Sequence, residues 1–481
     1  MGRKRALVSV TDKDGLVQFV RGLVAMDYEI IATDGTHRYL KDNGVDSRTV
    51  EEITGLRSTA RVKTLHPAIY KPLLEGGENP IEVLVCNLYP FEKNLEKEIE
   101  DLVELIDIGG VCLIRAAAKN YAQVTVVIDP ADYDSVLGSL KEETLDINRR
   151  KDLAKKAFAY IAYYDSVITS KFGTGMESYG ALPLRLDRRL RYGENPHQKA
   201  WFFLGEEKNG LIKVYQGKEI SYNNFLDAHT AYGAALEHSR KCCVVVKHTS
   251  PCGVGVADSA LDAYTKAHMG DPVSAFGGVV GFNCEVDEAA ASRMTEIFLE
   301  VIIAPSFTES ALNILKKKKR LRVISSPPEI FSRISIKDAF GGILVQEADK
   351  TVNEEFRCVT IKKPNDYERE TLDFAWRVCK WVKSNGIVLA IKDRVVGIGA
   401  GQPSRVGAVE IALKKAGTQP VGMVLASDAF FPFRDSIDLI AKAGVGAVIQ
   451  PGGSIRDQEV IDACNEHEIS MIFTGHRHFR H

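Results

Sequence analysis

Near the N-terminus a short apolar run, Ala6–Val10, interrupted only by Ser9, is followed by Leu16, Phe19, Val20, Leu23 and Val24 at three- and four-residue spacing. A run of that kind reads as a strand buried on both faces, and the spacing marks one face of a helix. The alternation continues. Glu29–Ala32 predicts a strand, His37–Asn43 a helix stopped at Gly44, and Ile81–Leu88 and Val124–Ile128 two further strands. Strands with no polar face, separated by helices, point to the α/β class with a doubly wound parallel sheet covered on both sides. Ligands of that class sit beyond the carboxyl ends of the strands.

A helical pattern over Arg150–Phe172 gives way to breakers at Gly173, Gly175 and Pro183, so a domain boundary is expected near residue 183. Beyond it, Cys243–Lys247, Gly278–Phe282, Val301–Ala304, Gly386–Ile391 and Val421–Ala426 predict the strands of a second α/β region. HTSPCGVG at 248–255 and GAGQPSRVG at 399–407 read as similar strand–loop–helix elements, which hints at an internal duplication. A chain of 481 residues suits several cores.

Composition narrows the function. A net charge of -2 provides no global positive field, so no nucleic-acid partner is expected. No stretch approaches the roughly 20 apolar residues that span a bilayer, and the N-terminus lacks the apolar region of a secretory signal. A cytoplasmic protein with no membrane partner is expected. Nine cysteines without a CxxC spacing favour neither a disulfide framework nor a zinc site, and Cys86 and Cys112 read as small buried hydrophobes.

Polar residues gather where the first region's strands end. Ser9, Thr11, Asp12 and Lys13 occupy one loop, and Thr33, Asp34, Gly35 and Thr36 the next, each before a helix. Hydroxyls and an ammonium at helix N-termini would cradle a phosphate; N-capping by Thr11, Asp12 and Thr33 is the alternative. RVKTLHP at 61–67 packs Arg61, Lys63, Thr64 and His66 into one loop, and CNLYPF at 86–91 offers Asn87 and Tyr89 to a heterocycle. In DIGGVCLIRAAAKN at 107–120, Gly109 and Gly110 allow close backbone approach beside Asp107, and Lys119 falls late on the helix that follows.

In the second region, RYGENPHQ at 191–198 is a polar loop that is costly to order unless it binds something. Lys247 and His248 end an apolar strand side by side, and both reach one ligand only if the chain turns there, which Pro251 and Gly253 would allow. SAFGG at 274–278, KSN at 383–385, GQPSR at 401–405 and SDAFFPFRD at 427–435 are further polar islands. Phe430, Phe431 and Phe433 in the last of these would form an aromatic wall or pack in a core.

RVKTLHP, CNLYPF, DIGGVCLIRAAAKN, LRYGENPHQ, VVVKHTSPCG, SAFGG, EVIIAP, GQPSR and ASDAFFPFRD occur in this order over nearly the whole chain. Together they resemble the bifunctional purine biosynthesis family, which joins an inosine monophosphate (IMP) cyclohydrolase to an aminoimidazole carboxamide ribonucleotide (AICAR) formyltransferase. The resemblance implies a methylglyoxal synthase-like domain over 1–183. Residues 184–481 would then hold two cytidine-deaminase-like units without zinc, about 184–350 and 351–481. The implied reactions are formyl transfer from 10-formyltetrahydrofolate to the AICAR amine, then dehydrative closure of formyl-AICAR (FAICAR) to IMP. No metal is required, and a homodimer is implied.

The resemblance carries roles onto matching residues. For formyl transfer, His248 would accept the amine proton, Lys247 would assist the formyl donor, and Asn385 and Phe276 would line the reaction centre. Arg191, Tyr192, Asn224, Arg405 and Arg477 would bind the nucleotide, and Glu300 and Phe431 would face the nucleotide or the folate. For ring closure, Lys63, Tyr89, Asp107 and Lys119 would be catalytic. Ser9, Thr11, Lys13, Thr36, Arg61, Thr64, Asn87, Gly109 and Gly110 would bind the substrate. Asp34 stands where the family carries Gly or Ser, and Thr59 and Ala60 replace two glycines. These departures support a second reading, a monofunctional formyltransferase with an N-terminal nucleotide-binding regulatory domain.

Overall fold

The computed structural model describes residues 3–56, 63–173, 178–205, 211–328, 334–350, 356–418 and 422–481. The chain forms two compact units, Met1–Leu186 with Phe203–Glu207, and Asp187–Phe202 with Lys208–His481.

The first unit is built on five parallel strands: β1 (Arg5–Ser9), β2 (Glu29–Ala32), β3 (Arg48–Thr49), β4 (Ile81–Cys86) and β5 (Thr125–Val127). Their order is β3-β2-β1-β4-β5. The chain winds outward from β1 in one direction and returns to wind outward from β4 in the other. The reversal point, between the ends of β1 and β4, is where a doubly wound sheet opens a crevice. The apolar runs are the core: Leu7, Val8, Ile31, Leu84, Val85 and Val126 are buried. The helix Leu16–Val24 buries Leu16, Phe19, Val20 and Leu23 as its spacing predicts, while Val24 lies outside, 46% exposed. The long helix runs over Ile147–Phe172, and its start is set by Asp146, whose carboxylate accepts from the Arg149 N–H at 2.8 Å.

Two short strands, β6 (Arg185–Arg189) and β7 (Trp201–Leu204), lie where the chain passes between units. The second unit then contributes β8 (Lys213–Gln216), β9 (Lys241–Lys247), β10 (Ser250–Ala257), β11 (Gly278–Phe282), β12 (Leu299–Ala304) and β13 (Arg322–Ser325). A separate hairpin, β14 (Ile334–Ala339) and β15 (Gly342–Glu347), follows. The remaining strands are β16 (Arg357–Cys358), β17 (Ile387–Ile391), β18 (Arg394–Gly399), β19 (Met423–Ser427), β20 (Val445–Gln450) and β21 (Ser470–Phe473). Outside the hairpin they form one sheet of order β16-β21-β20-β19-β17-β18-β10-β9-β11-β12-β13-β8.

That order is a duplication. β9 and β10 form an antiparallel hairpin, β11 lies antiparallel to β9, β12 and β13 continue in parallel, and β8 closes the edge antiparallel. β17 to β21 with β16 repeat each of these relations. The halves meet antiparallel at Gly255 and Arg394. The duplication is real, but the two segments read as its markers are not equivalent. HTSPCGVG is the turn and second strand of a hairpin, whereas GAGQPSRVG follows a second strand and enters a helix.

Candidate active sites

In the first unit the reversal point holds Asn87. Its carbonyl oxygen accepts from the backbone N–H of Thr11 at 2.6 Å and of Asp12 at 3.0 Å, and its Nδ2 donates to the Asp12 carbonyl at 3.0 Å. Asn87 therefore ties the end of β4 to the loop after β1. The hydroxyls next to it are not spent on capping. Thr33 precedes the helix Asp34–Asp42 without capping it, and Gly15, not Thr11 or Asp12, precedes the helix Leu16–Val24. Instead Thr33 Oγ1 donates to Ser9 Oγ at 3.3 Å and Thr36 Oγ1 pairs with the backbone of Val10. A cluster of hydroxyls thus faces an uncapped helix N-terminus, an arrangement suited to an anion. Lys13 Nζ lies 5.7 Å from the Tyr39 ring centre and donates to the Thr11 carbonyl at 3.3 Å.

Lys63 reaches the same helix start and is ion-paired with Asp34. Thr64 is buried and His66 caps the helix Pro67–Leu74, accepting from the Ala68 N–H at 3.1 Å. Arg61 lies outside the described residues.

Asp107 stands at the start of the helix Gly109–Lys119, its carboxylate accepting from Gly110 N–H at 2.7 Å. Burial pushes this carboxyl above the usual range, against the hydrogen bonds from the backbone N–H groups of Gly110 and Tyr89. A Cβ on Gly110 would lie 2.8 Å from both Asp107 Oδ2 and Leu88, so the second glycine makes the approach possible. Tyr164 holds the segment from behind, accepting from Asp107 N–H at 2.9 Å and donating to the Leu105 carbonyl at 3.0 Å. Tyr89 is half-exposed beside it. Lys119 is not. It ends the same helix ten residues beyond Gly109, about 15 Å along the axis, next to Asn120, which binds the carbonyls of Leu73 and Leu74. A helix antiparallel to its strands carries its last residue to the opposite end of the sheet, so Lys119 does not join Asp107.

In the second unit the antiparallel halves bring strand starts and strand ends to one edge. β9 ends there at Lys247, while β11, β12, β13 and β17 begin there; β18, β19, β20 and β21 end there. Lys247 Nζ donates to the carbonyls of Phe276 and Gly277, both at 2.9 Å. Gly277 has φ 67°, and a Cβ there would meet this nitrogen at 3.0 Å. The turn after Lys247 is made by His248 and Thr249 themselves, at φ 51° and 61°. Pro251, Cys252 and Gly253 belong to β10 and not to the turn; the buried Cys252 thiol donates to the Val245 carbonyl at 3.4 Å. His248 is exposed.

Asp227, on the helix Tyr222–Leu236, was not singled out by the sequence reading. Its carboxylate accepts from Thr249 N–H at 2.6 Å and so holds the turn that carries His248. Burial pushes this carboxyl up, opposed by the Thr249 hydrogen bond and by the charges of His248, Lys247 and Lys383. Nothing in the sequence sets it apart, since Asn223, Asn224 and Thr230 share its helix face. On the first turn of that helix, Asn224 forms a capping box with Ser221, which occupies its side-chain oxygen.

From the other half come Asn385 and Arg405. Arg405 is buried; it donates to Asn385 Oδ1 at 2.7 Å, to Ser427 Oγ at 2.8 Å and to the fully buried Asp428 at 2.6 Å. It therefore fixes Asn385 and is turned inward, rather than reaching out to a nucleotide as expected. Asn385 Nδ2 donates to the Gln402 carbonyl at 2.8 Å. Phe431 is 0% exposed in an apolar core, so its ring faces no ligand; Phe430 and Phe433 are the exposed aromatics of that loop. Phe276 is 63% exposed and packs 5.7 Å from Phe298. Glu300 is paired with Arg322 at 2.6 Å. Arg191 lies 5.3 Å from the Tyr192 ring, and Arg477, beyond β21, lies 4.6 Å from that of Phe479. The RYGENPHQ loop is ordered by its own Gln198, which accepts from Asn195 N–H at 2.8 Å. Among the described residues no group of three His, Cys, Asp or Glu is arranged to hold a metal, and no helix is long and apolar enough to cross a membrane.

Residues 117–415 match the family described as the AICARFT/IMPCHase bienzyme, and residues 15–112 match the MGS-like domain. A bifunctional purine biosynthesis protein PurH from Aquifex aeolicus is 46% identical, covering 99% of this chain and 100% of its own. Proteins of the same name from Persephonella marina and Bacillus cereus are 47% and 45% identical, each over 100% of both chains. Similarity at this level over full length is with bifunctional proteins, which leaves the monofunctional reading without support. The chain belongs to the AICARFT/IMPCHase bienzyme family of bifunctional purine biosynthesis proteins.

Proposed function

We propose that the two reactions of this family are divided between the two units, with ring closure at the β1/β4 reversal point and formyl transfer along the shared edge of the twelve-stranded sheet. The protein catalyses the last two steps of IMP synthesis, formylation of AICAR and closure of FAICAR. The observation that carries the division is the convergence of Lys247, His248, Asp227, Asn385 and Arg405 from both halves of the second sheet onto one edge.

An aminoimidazole amine is a poor nucleophile because its lone pair is delocalised, so a base must take a proton as attack develops. His248 is that base, carried on a turn braced by Asp227. The tetrahedral intermediate gathers charge on oxygen, and Lys247, fixed by two carbonyls, and the Asn385 edge supply fixed dipoles and charge to it. 10-Formyltetrahydrofolate is the formyl donor; as the intermediate collapses, its carbon–N10 bond breaks and tetrahydrofolate leaves with N10 taking up the proton that the base removed from the amine. In the first unit the hydroxyl cluster of Ser9, Thr33 and Thr36 with Lys13 receives the nucleotide phosphate. Asp107, whose carboxyl burial raises above its ordinary range, moves protons during closure with Tyr89 and Lys63, and positioning supplies much of the rate. The active form is a homodimer in the cytoplasm; sedimentation showing a fully active monomer at assay concentration would refute the first half of that statement.

The division is tested by following AICAR, FAICAR and IMP chromatographically. Asp107→Ala with AICAR and 10-formyltetrahydrofolate is expected to accumulate FAICAR, and His248→Ala is expected to close added FAICAR while forming none from AICAR. Equal loss of both activities in either folded variant would defeat the division.

A further inference from the structure

The pairing of Lys63 with Asp34 is not explained by a phosphate cradle alone. Asp34 opens the helix Asp34–Asp42, between Thr33 and Thr36, whose hydroxyls face Ser9 and Val10. A carboxylate there gains from the helix dipole but repels a phosphate bound to the same hydroxyls. It persists beside the cradle with an ion-paired ammonium, the Asp34 side chain 32% exposed and Lys63 19% exposed. The two charges cancel, leaving Lys13, the hydroxyls and the backbone N–H groups as the anion-binding set.

We infer that Asp34 is a positioning residue for ring closure: it holds the Lys63 ammonium at the rim of the hydroxyl cluster and keeps it from pairing with the nucleotide phosphate. An unpaired lysine at this place would be drawn to the dianion. It would then add uniform binding energy, which lowers KM, while leaving the reacting formyl and amide groups without their cation, which lowers kcat. Asp34 thus exchanges ground-state affinity for turnover. The inference rests on the proposed placement of ring closure around Lys63.

The test uses the full chain and synthetic FAICAR, with steady-state constants and melting temperature measured for wild type, Asp34→Asn, Lys63→Ala and the double variant. Asp34→Asn is expected to lower kcat for closure by about tenfold or more, with KM unchanged or lower, and to leave formyl transfer alone. The double variant is expected to be no slower than Lys63→Ala, since Asp34 acts through Lys63. A wild-type or higher kcat in Asp34→Asn would overturn the inference, as would a rise in KM alone. So would a double variant slower than Lys63→Ala by the full factor Asp34→Asn shows in the wild-type background. Wild-type closure by Lys63→Ala would instead remove Lys63 from the proposed site, and the inference with it.

Discussion

His248 occupies the left-handed region at φ 51° and is followed by Thr249 at φ 61°, a conformation unfavourable for residues with a Cβ. What holds it is the 2.6 Å bond from Thr249 N–H to the half-buried Asp227 carboxylate. If His248 is the base, His248→Ala lowers kcat for formyl transfer by a factor on the order of 10² to 10⁴ with little change in KM. Asp227→Asn keeps an acceptor for Thr249 but removes the charge facing His248 and Lys247, so a smaller loss, about tenfold, is expected with melting temperature nearly unchanged. Near-normal kcat in a destabilised His248→Ala would remove the histidine from the mechanism. That His248, Lys247 and Asn385 share one edge is legible because polar groups flanking apolar strands stand out. The inward roles of Arg405 and Phe431 are not, because only burial and partner geometry distinguish an arginine that holds a neighbour from one that meets a ligand.

At the scale of elements, each half of the second sheet carries a Gly-x-Gly strand pressed onto a helix. A Cβ on Gly253 would lie 1.9 Å from the Ala267 carbonyl and one on Gly255 2.5 Å from that of Ala263; Gly399 and Gly397 stand likewise 1.9 Å and 2.2 Å from those of Ala408 and Ala412. The helix carbonyls are four residues apart in both cases, so the backbones of strand and helix approach without an intervening side chain. Gly253→Ala and Gly399→Ala must displace a helix and are each expected to cost about 3 kcal/mol or more, read as lost stability in denaturant titration. Gly138→Ala, in the helix Tyr133–Lys141 with nothing within 4 Å, is expected to stabilise by about 0.5 to 1 kcal/mol. Loss-free Gly253→Ala and Gly399→Ala would show that the close approach is not required. This pairing of GVG with GIG was the true sequence mark of the duplication. Pro251 and the glycines of β10 carry the composition of a turn, which hides this mark, whereas the actual turn falls on His248 and Thr249. β2 and β11 have the bounds their apolar runs predict, whereas β1, β4, β5, β9, β12, β17 and β19 depart from theirs by one or two residues at one or both ends. Short or polar strands such as β8 and β16 have no such pattern and form through edge pairing with β13 and β21.

Over the whole molecule, acid sensitivity falls unevenly on the two units. His238, in the second unit, is pushed by burial from 6.5 to about 4, with nearby Arg377 acting in the same direction. A histidine whose folded pKa lies below its unfolded value binds fewer protons when folded. Its contribution is therefore fully present above 6.5 and is lost as pH falls from 6.5 toward 4. Asp227 acts oppositely, since a carboxyl raised by burial favours the folded state as it protonates. Comparison of variants isolates the histidine. His238 Nε2 has no hydrogen-bond partner and the ring lies 5.3 Å from that of Phe374, so phenylalanine removes the titration without stranding a polar group. With a shift from 6.5 to about 4, His238→Phe should be more stable than wild type by about 2 kcal/mol at pH 5, beyond any difference at pH 7.5. Calorimetry at both pH values gives the comparison, and the gain should appear in the transition of the second unit while that of the first stays where it was. An offset between the proteins that does not change between pH 7.5 and 5 would mean that His238 does not titrate differently on folding, and the acid sensitivity of this unit would then have to come from other groups.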